Sequence, residues 1–516
     1  MVRELYPLAE YAGSLQEAGL LERSVITDDI AEKRIRHISF DSNDMVFGTL
    51  FICKGAHFSP IYLADALEHG AIAYVSETSF EADGIEAPHL LVSDIRKAMP
   101  LIADMFYGKA WQKICMVGIT GTKGKSSTAY YMKYIIDDFL KDQKKPECAV
   151  ISGIDNYDGV SREESHLTTP EAMTLHRHID NAVNSGIEYL VMEVSSQALK
   201  YDRTKGIIYD VAAFMNIGQD HISPIEHPSL EDYVASKMIL MKQCRTACIN
   251  LDSDYARMAI EAAKSSVHTQ KIITFGQDGG ADITGSGIEP GKRGITFRAE
   301  CDSFDEEFRI EMTGLFNVEN ALAAIAMSYA LNIPVVNIKA GLKKARVSGR
   351  MEIFSTDSGD LTVIVDYAHN KMSFEALLDS TWKEYPDSFI YMIFGCPGKK
   401  ALGRRKELGE AAGRYADMVY LTEEDAGEEP VHEISSEIAG YVDEQGCDYE
   451  LIDDRGEAIR KAILEAPKNT VILLTGKGRE TRQKRGTDYI DTPSDVEFVE
   501  KYLRERQNRT EKKEEK

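Results

Sequence analysis

No apolar run in the 516-residue chain approaches the ~18 residues that a membrane-spanning helix requires, which argues against insertion into a bilayer. The opening stretch MVRELYPLAEYAGSL carries acids and no apolar core of signal-peptide length, so a cytoplasmic protein is expected. The eight cysteines, at 53, 115, 148, 244, 248, 301, 396 and 447, include no Cys-x-x-Cys pair. That excludes a paired-cysteine zinc site, and so few cysteines over this length make no disulfide framework. Basic charge is in deficit: 60 Lys and Arg stand against 84 Asp and Glu, a formal net charge of −24. A field of that sign repels nucleic acid and anionic membranes, so neither is an expected partner, and basic contacts to an anionic substrate must be local. No repeat of solenoid period is present.

What is present is 43% apolar residues, enough for several cores, in a length that suggests about three domains. Strand patterns alternate with helix patterns, which predicts an α/β fold. Residues 1–112 hold the strands TLFICKG and AIAYVSE around a helix, IYLADALEHG, that stops at Gly70, and FYGKAWQK (106–113) reads as a linker. Residues 113–346 open on the buried strand Ile114–Ile119, a glycine loop, and a helix whose Met132, Ile135, Ile136, Phe139 and Leu140 share one face. Later come YLVMEVS, VAAFMNI and ACINLD, and then 282–313, which alternates and turns at glycines like antiparallel hairpins. Residues 347–503 carry LTVIVDYA, FIYMIFG, MVYLTE and TVILLTG with helices between them, a second doubly wound, Rossmann-like sheet. The tail 504–516, charged and without apolar residues, is expected to be disordered.

The glycine loop GITGTKGKSST (118–128) joins a strand to a helix, the setting of a phosphate site. Gly121 and Gly124 permit a tight turn, Lys125 reaches terminal phosphates, and the Ser126 hydroxyl suits Mg²⁺. The usual first glycine of such a loop is replaced by Ile119. Two further features fall at strand ends, where α/β ligand sites lie. These are Glu193, a candidate Mg²⁺ ligand, and Asp220–His221.

Seven segments then follow in order: GITGTKGKSST, LTTPE (167–171), MEVSSQ (192–197), DHISPIEHPSLEDYVASK (220–237), GLFNVENALAA (314–324), SGRMEIF (348–354) and DYAHN (366–370). In this the chain resembles the Mur ligases, ATP-dependent enzymes that build the peptidoglycan stem peptide, and within them the branch that adds the third residue. FDSNDMVFGTLFICKG (40–55) is similar to that branch's uridine-binding segment, and the resemblance extends to about residue 503. It implies a three-domain ligase with a central phosphate-loop ATPase-type sheet. In such an enzyme ATP phosphorylates the terminal carboxylate of UDP-N-acetylmuramoyl-L-Ala-D-Glu, and the amine of a free amino acid displaces the phosphate. A monomer is expected.

Residue by residue, the resemblance assigns Gly121, Thr122, Lys123, Gly124, Lys125, Ser126 and Ser127 to the ATP phosphates. Asn317, Asn320, Arg350, Asp366 and His369 match the other ATP contacts. Without the resemblance, FNVEN reads as a helix start with a capping Asn. Ser126, Glu193 and His221 match ligands of Mg²⁺, two ions being expected. Lys237 matches a lysine carbamylated by CO₂, a change that turns a cation into an anionic oxygen ligand. Lys125, Glu193, His221 and Lys237 thereby form the implied catalytic set. Ser42, Thr168, Thr169, Ser195 and Arg203 match contacts to the UDP substrate, with Asn43 and Leu167 standing where the family often has Arg and Asn.

Diaminopimelate-adding members of the family carry Asp-Asn-Pro-Arg after a strand of the third domain, whereas LTEEDAGEEP (421–430) has no Arg. Glu424 and Asp425 suit an ammonium better than a carboxylate, which favours L-lysine or another diamine over meso-diaminopimelate. Gly476 and Glu480, in LTGKGRE (474–480), match the hold on the amino acid's α-amino end. GCPGKKALGRRKELG (395–409) keeps Arg404 and Arg405, a local anion site in an acidic chain. A phosphate-loop kinase or NTPase would account for the loop but not for DYAHN or the third domain. A non-catalytic paralogue is opposed by the retention of Lys125, Glu193, His221 and Lys237, and a folate-type ligase by the first-domain segment.

Overall fold

The computed structural model describes the chain apart from residues 1–2, 56–57, 166, 220–221, 224–225, 292–293, 401 and 515–516, and apart from the side chains of 510–514. Among the described residues the strands form sheets of five, eleven, six and two.

The first sheet is built within Leu21–Val92, with Thr49–Ile52 buried at every position. Helix Ile95–Phe106 packs on it, started by Asp94, whose side chain accepts the Lys97 N–H at 3.1 Å. The segment read as a linker is instead a 3₁₀ turn, Ala110–Lys113. Trp111 is buried there and its indole N–H donates to Asp104 at 2.9 Å, so apolar burial fixes this joint.

The central sheet has a parallel core in the spatial order Lys271–Gly276, Cys244–Asn250, Tyr209–Phe214, Cys115–Thr120, Tyr189–Glu193, Ala149–Ile151. Helices Lys125–Lys141 and Phe316–Ala330 cover one face; Met132, Ile135, Ile136 and Leu140 are buried there and Phe139 is half-buried. The hairpins expected at 282–313 form as Ile283–Gly291, Gly294–Cys301 and Phe304–Ile310, antiparallel to one another. They extend the central sheet, because Ile283–Gly291 pairs in parallel with Lys271–Gly276. At the opposite edge Asp155–Tyr157 and Arg162–Glu164 add a second antiparallel extension, of strands too short to carry a period in the sequence.

The third sheet is parallel in the order Leu361–Asp366, Thr470–Thr475, Phe389–Phe394, Met418–Leu421, Asp448–Leu451, with Glu352–Ser355 antiparallel at its edge. One continuous set of buried apolar side chains runs from Val117 and Ile135 through Met312, Val347 and Met351 to Phe374 and Phe394. The tail expected to be disordered continues a helix, Asp495–Glu514. Glu505 pairs with Arg460 at 3.2 Å, and Arg506 donates to the carbonyls of Ile463 and Ala466 at 2.5 and 2.9 Å, tying the tail to the end of helix Arg455–Glu465. No described helix is long and apolar enough to cross a membrane.

Candidate active site

The glycine loop leaves the middle of the central sheet, between the C-terminal ends of Tyr189–Glu193 and Tyr209–Phe214. Gly124 caps helix Lys125–Lys141 at φ 81°, and a side chain on it would run into Asn320 Oδ1. Only glycine satisfies both demands. The helix N-terminus adds partial positive charge to the loop. Lys125 folds back over it, its Nζ donating to the carbonyls of Gly121 (2.9 Å) and Thr122 (3.0 Å). Thr122 Oγ1 accepts the Gly218 N–H at 2.9 Å and shares a hydrogen bond with Tyr233 at 3.0 Å. Lys123 N–H donates to Asn216 Oδ1 at 2.9 Å, and Ser126 and Ser127 are buried in the first helical turn.

Lys237, on helix Leu230–Lys242, is 1% exposed. Its Nζ donates to the Gly121 carbonyl at 2.9 Å and lies 4.6 Å from the centroid of the Tyr233 ring. The Nζ atoms of Lys125 and Lys237 thus converge on one loop carbonyl. Glu193 is buried at the end of the adjacent strand, its Oε1 accepting the Gly153 N–H at 2.7 Å. Asp220 and His221 lie outside the described residues. The nearby His227, which the sequence reading passed over, bonds Asp232 at 2.6 Å and Ser196 at 3.0 Å and anchors the start of the Lys237 helix.

Asn317 is buried beneath the loop, but it is not a cap. The cap position belongs to Leu315, while Asn317 Nδ2 donates to the Thr313 carbonyl at 2.7 Å and its Oδ1 accepts from Asn320 at 2.9 Å. Beside them stands Glu319, unremarked in the sequence, whose carboxyl burial raises above its ordinary range, with Asp252 adding to the rise.

The third sheet contributes DYAHN. Asp366 is buried, which raises its carboxyl pKa; its oxygens accept the N–H groups of Met351 (2.9 Å) and Ala368 (2.8 Å). Arg350 lies 4.6 Å over the Tyr367 ring, and His369 Nδ1 donates to the Tyr367 carbonyl at 2.7 Å. Met372, in the next helix, packs on Gly218. The two wound sheets therefore meet at the phosphate loop.

Four of the UDP-substrate positions also come together. Thr169 Oγ1 donates to the Glu193 carbonyl at 2.9 Å and accepts the Ser195 N–H at 3.0 Å. Ser195 caps the short helix Ser196–Lys200, and Thr168 lies beside Glu193 across Gly153. Arg203 donates to the Thr169 carbonyl at 3.0 Å and pairs with Glu171 at 2.8 Å; Lys54 of the first sheet pairs with the same carboxylate at 2.9 Å. Ser42 stands apart, half-buried in a turn of the first sheet.

The amino-acid positions cluster at the C-terminal edge of the third sheet. Gly476, at φ 99°, lies so close to Glu424 Oε2 that any side chain would overlap the carboxylate. Burial pushes Glu424 up to about 7, against the pull of Arg455, Lys477 and Arg404. No described residue donates a hydrogen bond to it. Asp425 is already engaged, its Oδ1 accepting from Lys477 Nζ at 3.1 Å and Lys484 N–H at 2.8 Å. Glu480 is held between Tyr367 (2.7 Å) and Lys477 (2.6 Å). Arg405 is no anion site: it is buried between Glu429 (2.7 Å) and Glu437 (2.6 Å), because buried charge requires a partner. A cleft of about 2090 Å³ touches Gly153, Arg350, Tyr367, Lys477 and Glu480, so the central and third units open onto one space.

A strand–glycine loop–helix unit at the centre of a wound sheet, with paired lysines over the loop and a second wound sheet docked beside it, defines a multi-unit phosphate-loop enzyme of the α/β class. Comparison with known proteins narrows this. Residues 119–328 match the Mur ligase middle domain, and 349–478 match the Mur ligase, glutamate ligase domain. The UDP-N-acetylmuramyl-tripeptide synthetase of Lactobacillus delbrueckii subsp. bulgaricus is 36% identical over 499 residues, 93% of this chain and 95% of the relative. The UDP-N-acetylmuramoyl-L-alanyl-D-glutamate--L-lysine ligase of Enterococcus faecalis is 34% identical over 482 residues, 92% of each. A solved UDP-N-acetylmuramoyl-L-alanyl-D-glutamate--2,6-diaminopimelate ligase superposes with a TM-score of 0.67 over 98% of this chain and 100% of that one, at 22% identity, a likeness of fold. The chain belongs to the Mur ligase family and is an ATP-dependent amide-bond ligase.

Proposed function

We propose that the chain joins L-lysine to UDP-N-acetylmuramoyl-L-Ala-D-Glu in the cytoplasm, through an acyl phosphate, and that its three units, 1–112, 113–346 and 347–503, hold the UDP substrate, ATP and the amino acid respectively. The observation that carries the choice of lysine is Glu424: a buried carboxyl against Gly476, in a loop that has no arginine, which accepts no hydrogen bond from a described residue and which burial holds up at about 7 in spite of Arg455, Lys477 and Arg404. An ammonium entering there supplies a directly hydrogen-bonded charge partner, whereas a second carboxylate would meet repulsion. Asp425, which the sequence paired with Glu424, serves to hold Lys477 and the loop.

A carboxylate is a poor electrophile, and phosphorylation gives it a leaving group. Lys125 and the loop N–H groups neutralise and orient the phosphates, and Arg350, Asp366 and His369 close on ATP from the third unit. Thr168, Thr169, Ser195 and Arg203 aim the substrate's carboxylate at the loop, with Ser42 on the uridine end. Hard oxygen donors suit Mg²⁺: the Ser126 hydroxyl and Glu193, whose Oε2 accepts no hydrogen bond from a described residue. The family resemblance adds His221, which lies outside the described residues, and Lys237 as a carbamate to this set. Two ions held there would offset the charge crowded between γ-phosphate and carboxylate.

The test is phosphate release from ATP with Mg²⁺ and UDP-N-acetylmuramoyl-L-Ala-D-Glu, screened over single amino acids. Release with L-lysine and not with meso-diaminopimelate is expected. Release with diaminopimelate alone overturns the specificity, and no release with any amino acid overturns the substrate assignment.

A further inference from the structure

Glu319 matches no position assigned to a substrate, yet it is the node of a network that reaches the phosphate loop. It sits in the first turn of helix Phe316–Ala330, and its Oε1 accepts two amide N–H groups, from Asn216 Nδ2 at 3.1 Å and Asn250 Nδ2 at 2.8 Å. Asn250 ends the strand Cys244–Asn250, and Asn216 lies just beyond the strand Tyr209–Phe214. A side-chain amide has a donor end and an acceptor end, so committing Asn216 Nδ2 to Glu319 turns its Oδ1 the opposite way. There Oδ1 accepts the Lys123 N–H at 2.9 Å, while the Asn216 main-chain carbonyl accepts the Thr122 N–H at 3.0 Å. Asn250 is fixed in the same manner: its Nδ2 also donates to the Met215 carbonyl at 2.9 Å and its Oδ1 accepts the Asp252 N–H at 3.1 Å. Both bonds end on one oxygen, Oε1, so residue 319 must place an acceptor there, which a glutamine's amide oxygen can keep and an alanine cannot.

We propose that Glu319 is a positioning residue for ATP. By locking the amide of Asn216 it draws the N–H groups of Thr122 and Lys123 inward, and so sets the curvature with which the loop and the helix N-terminus at Gly124 face the phosphates. The inference rests on the reading of this loop as the ATP site.

The test compares the wild type with Glu319→Ala, Glu319→Gln and Asn216→Ala. Glu319→Ala removes the shared acceptor, and Glu319→Gln keeps an oxygen in its place. Glu319→Ala and Asn216→Ala are each expected to raise KM for ATP roughly 10- to 100-fold, the scale of a lost buried hydrogen bond, with KM for the UDP substrate and the amino acid within about 2-fold of wild type. Glu319→Gln is expected to stay within about 3-fold of wild type, rescue by the conservative variant. An unchanged KM for ATP in Glu319→Ala, an equal loss for all three substrates, or a Glu319→Gln as impaired as Glu319→Ala overturns the inference. If Glu319→Ala fails to fold, Asn216→Ala decides by the same readout, an unchanged KM for ATP overturning the inference. A wild-type protein that binds no ATP by calorimetry overturns the reading of the loop and this inference together.

Discussion

Glu424→Gln replaces a buried carboxyl by a neutral group of the same shape, and its effects on stability and on activity have opposite signs. The carboxyl is raised from an ordinary 4.5 to about 7, chiefly by burial. Between these values the native chain holds a proton that the unfolded chain has released, so stability falls as pH rises through the window, and the full cost is present above pH 7. At 1.36 kcal/mol per pH unit that cost is ~3 kcal/mol. Glu424→Gln is therefore expected to raise the unfolding free energy of the third unit by up to ~3 kcal/mol at pH 8 and by little at pH 5, read from urea titrations of the ligand-free protein at both values. The same carboxylate is proposed to receive the lysine ammonium, so wild-type kcat/KM for L-lysine should rise with pH through about 7 as it ionises. The variant should lose that rise and fall ~10²-fold in kcat/KM for L-lysine, the scale of an ion pair deprived of one member, with KM for ATP unchanged. A stability gain of equal size at pH 5 and pH 8, or an unaltered kcat/KM for L-lysine, would refute the reasoning.

Lys237→Ala should abolish turnover while ATP and the UDP substrate still bind by calorimetry, since the side chain is proposed to act as a metal-binding carbamate and not as a substrate contact; near-normal phosphate release removes that role. Arg455 is buried in a bidentate pair with Asp495 and also donates to the Thr475 carbonyl at 2.7 Å. Arg455→Ala leaves a buried carboxylate uncompensated and should cost ~3–5 kcal/mol in denaturant unfolding, and a loss below ~1 kcal/mol contradicts it.

Features governed by local pattern were legible in the sequence. Buried parallel strands read as apolar runs, and the strand–loop–helix unit follows from the placing of Gly121, Gly124 and Lys125. The hairpins of 282–313 announced themselves by alternation and glycine turns, but their attachment to the central sheet depends on a pairing with Lys271–Gly276 that no local pattern encodes. Side-chain allegiance was harder to read. Asp425 and Glu424 are neighbours of the same charge, and only tertiary packing gives the Lys477 ion pair to the first and leaves the second buried with longer-range attraction alone. Arg405 looks like an anion ligand until Glu429 and Glu437, contributed by a later loop and helix, close on it. Glu319 was invisible because its partners lie 103 and 69 residues away. The tail misled through composition, since a helix without apolar residues is stable only where partners such as Arg460 meet it.

The core of the first sheet includes Ala172 and Met173, side chains of the helix Ala172–Asn184 that belongs to the central unit. A boundary drawn at residue 112 therefore separates polypeptide but not packing. During synthesis the first unit leaves the ribosome some sixty residues before two members of its own core exist, and until then the side of helix Ile95–Phe106 that meets helix Ala172–Asn184 stays uncovered. A fragment cut at 112 keeps that side uncovered permanently.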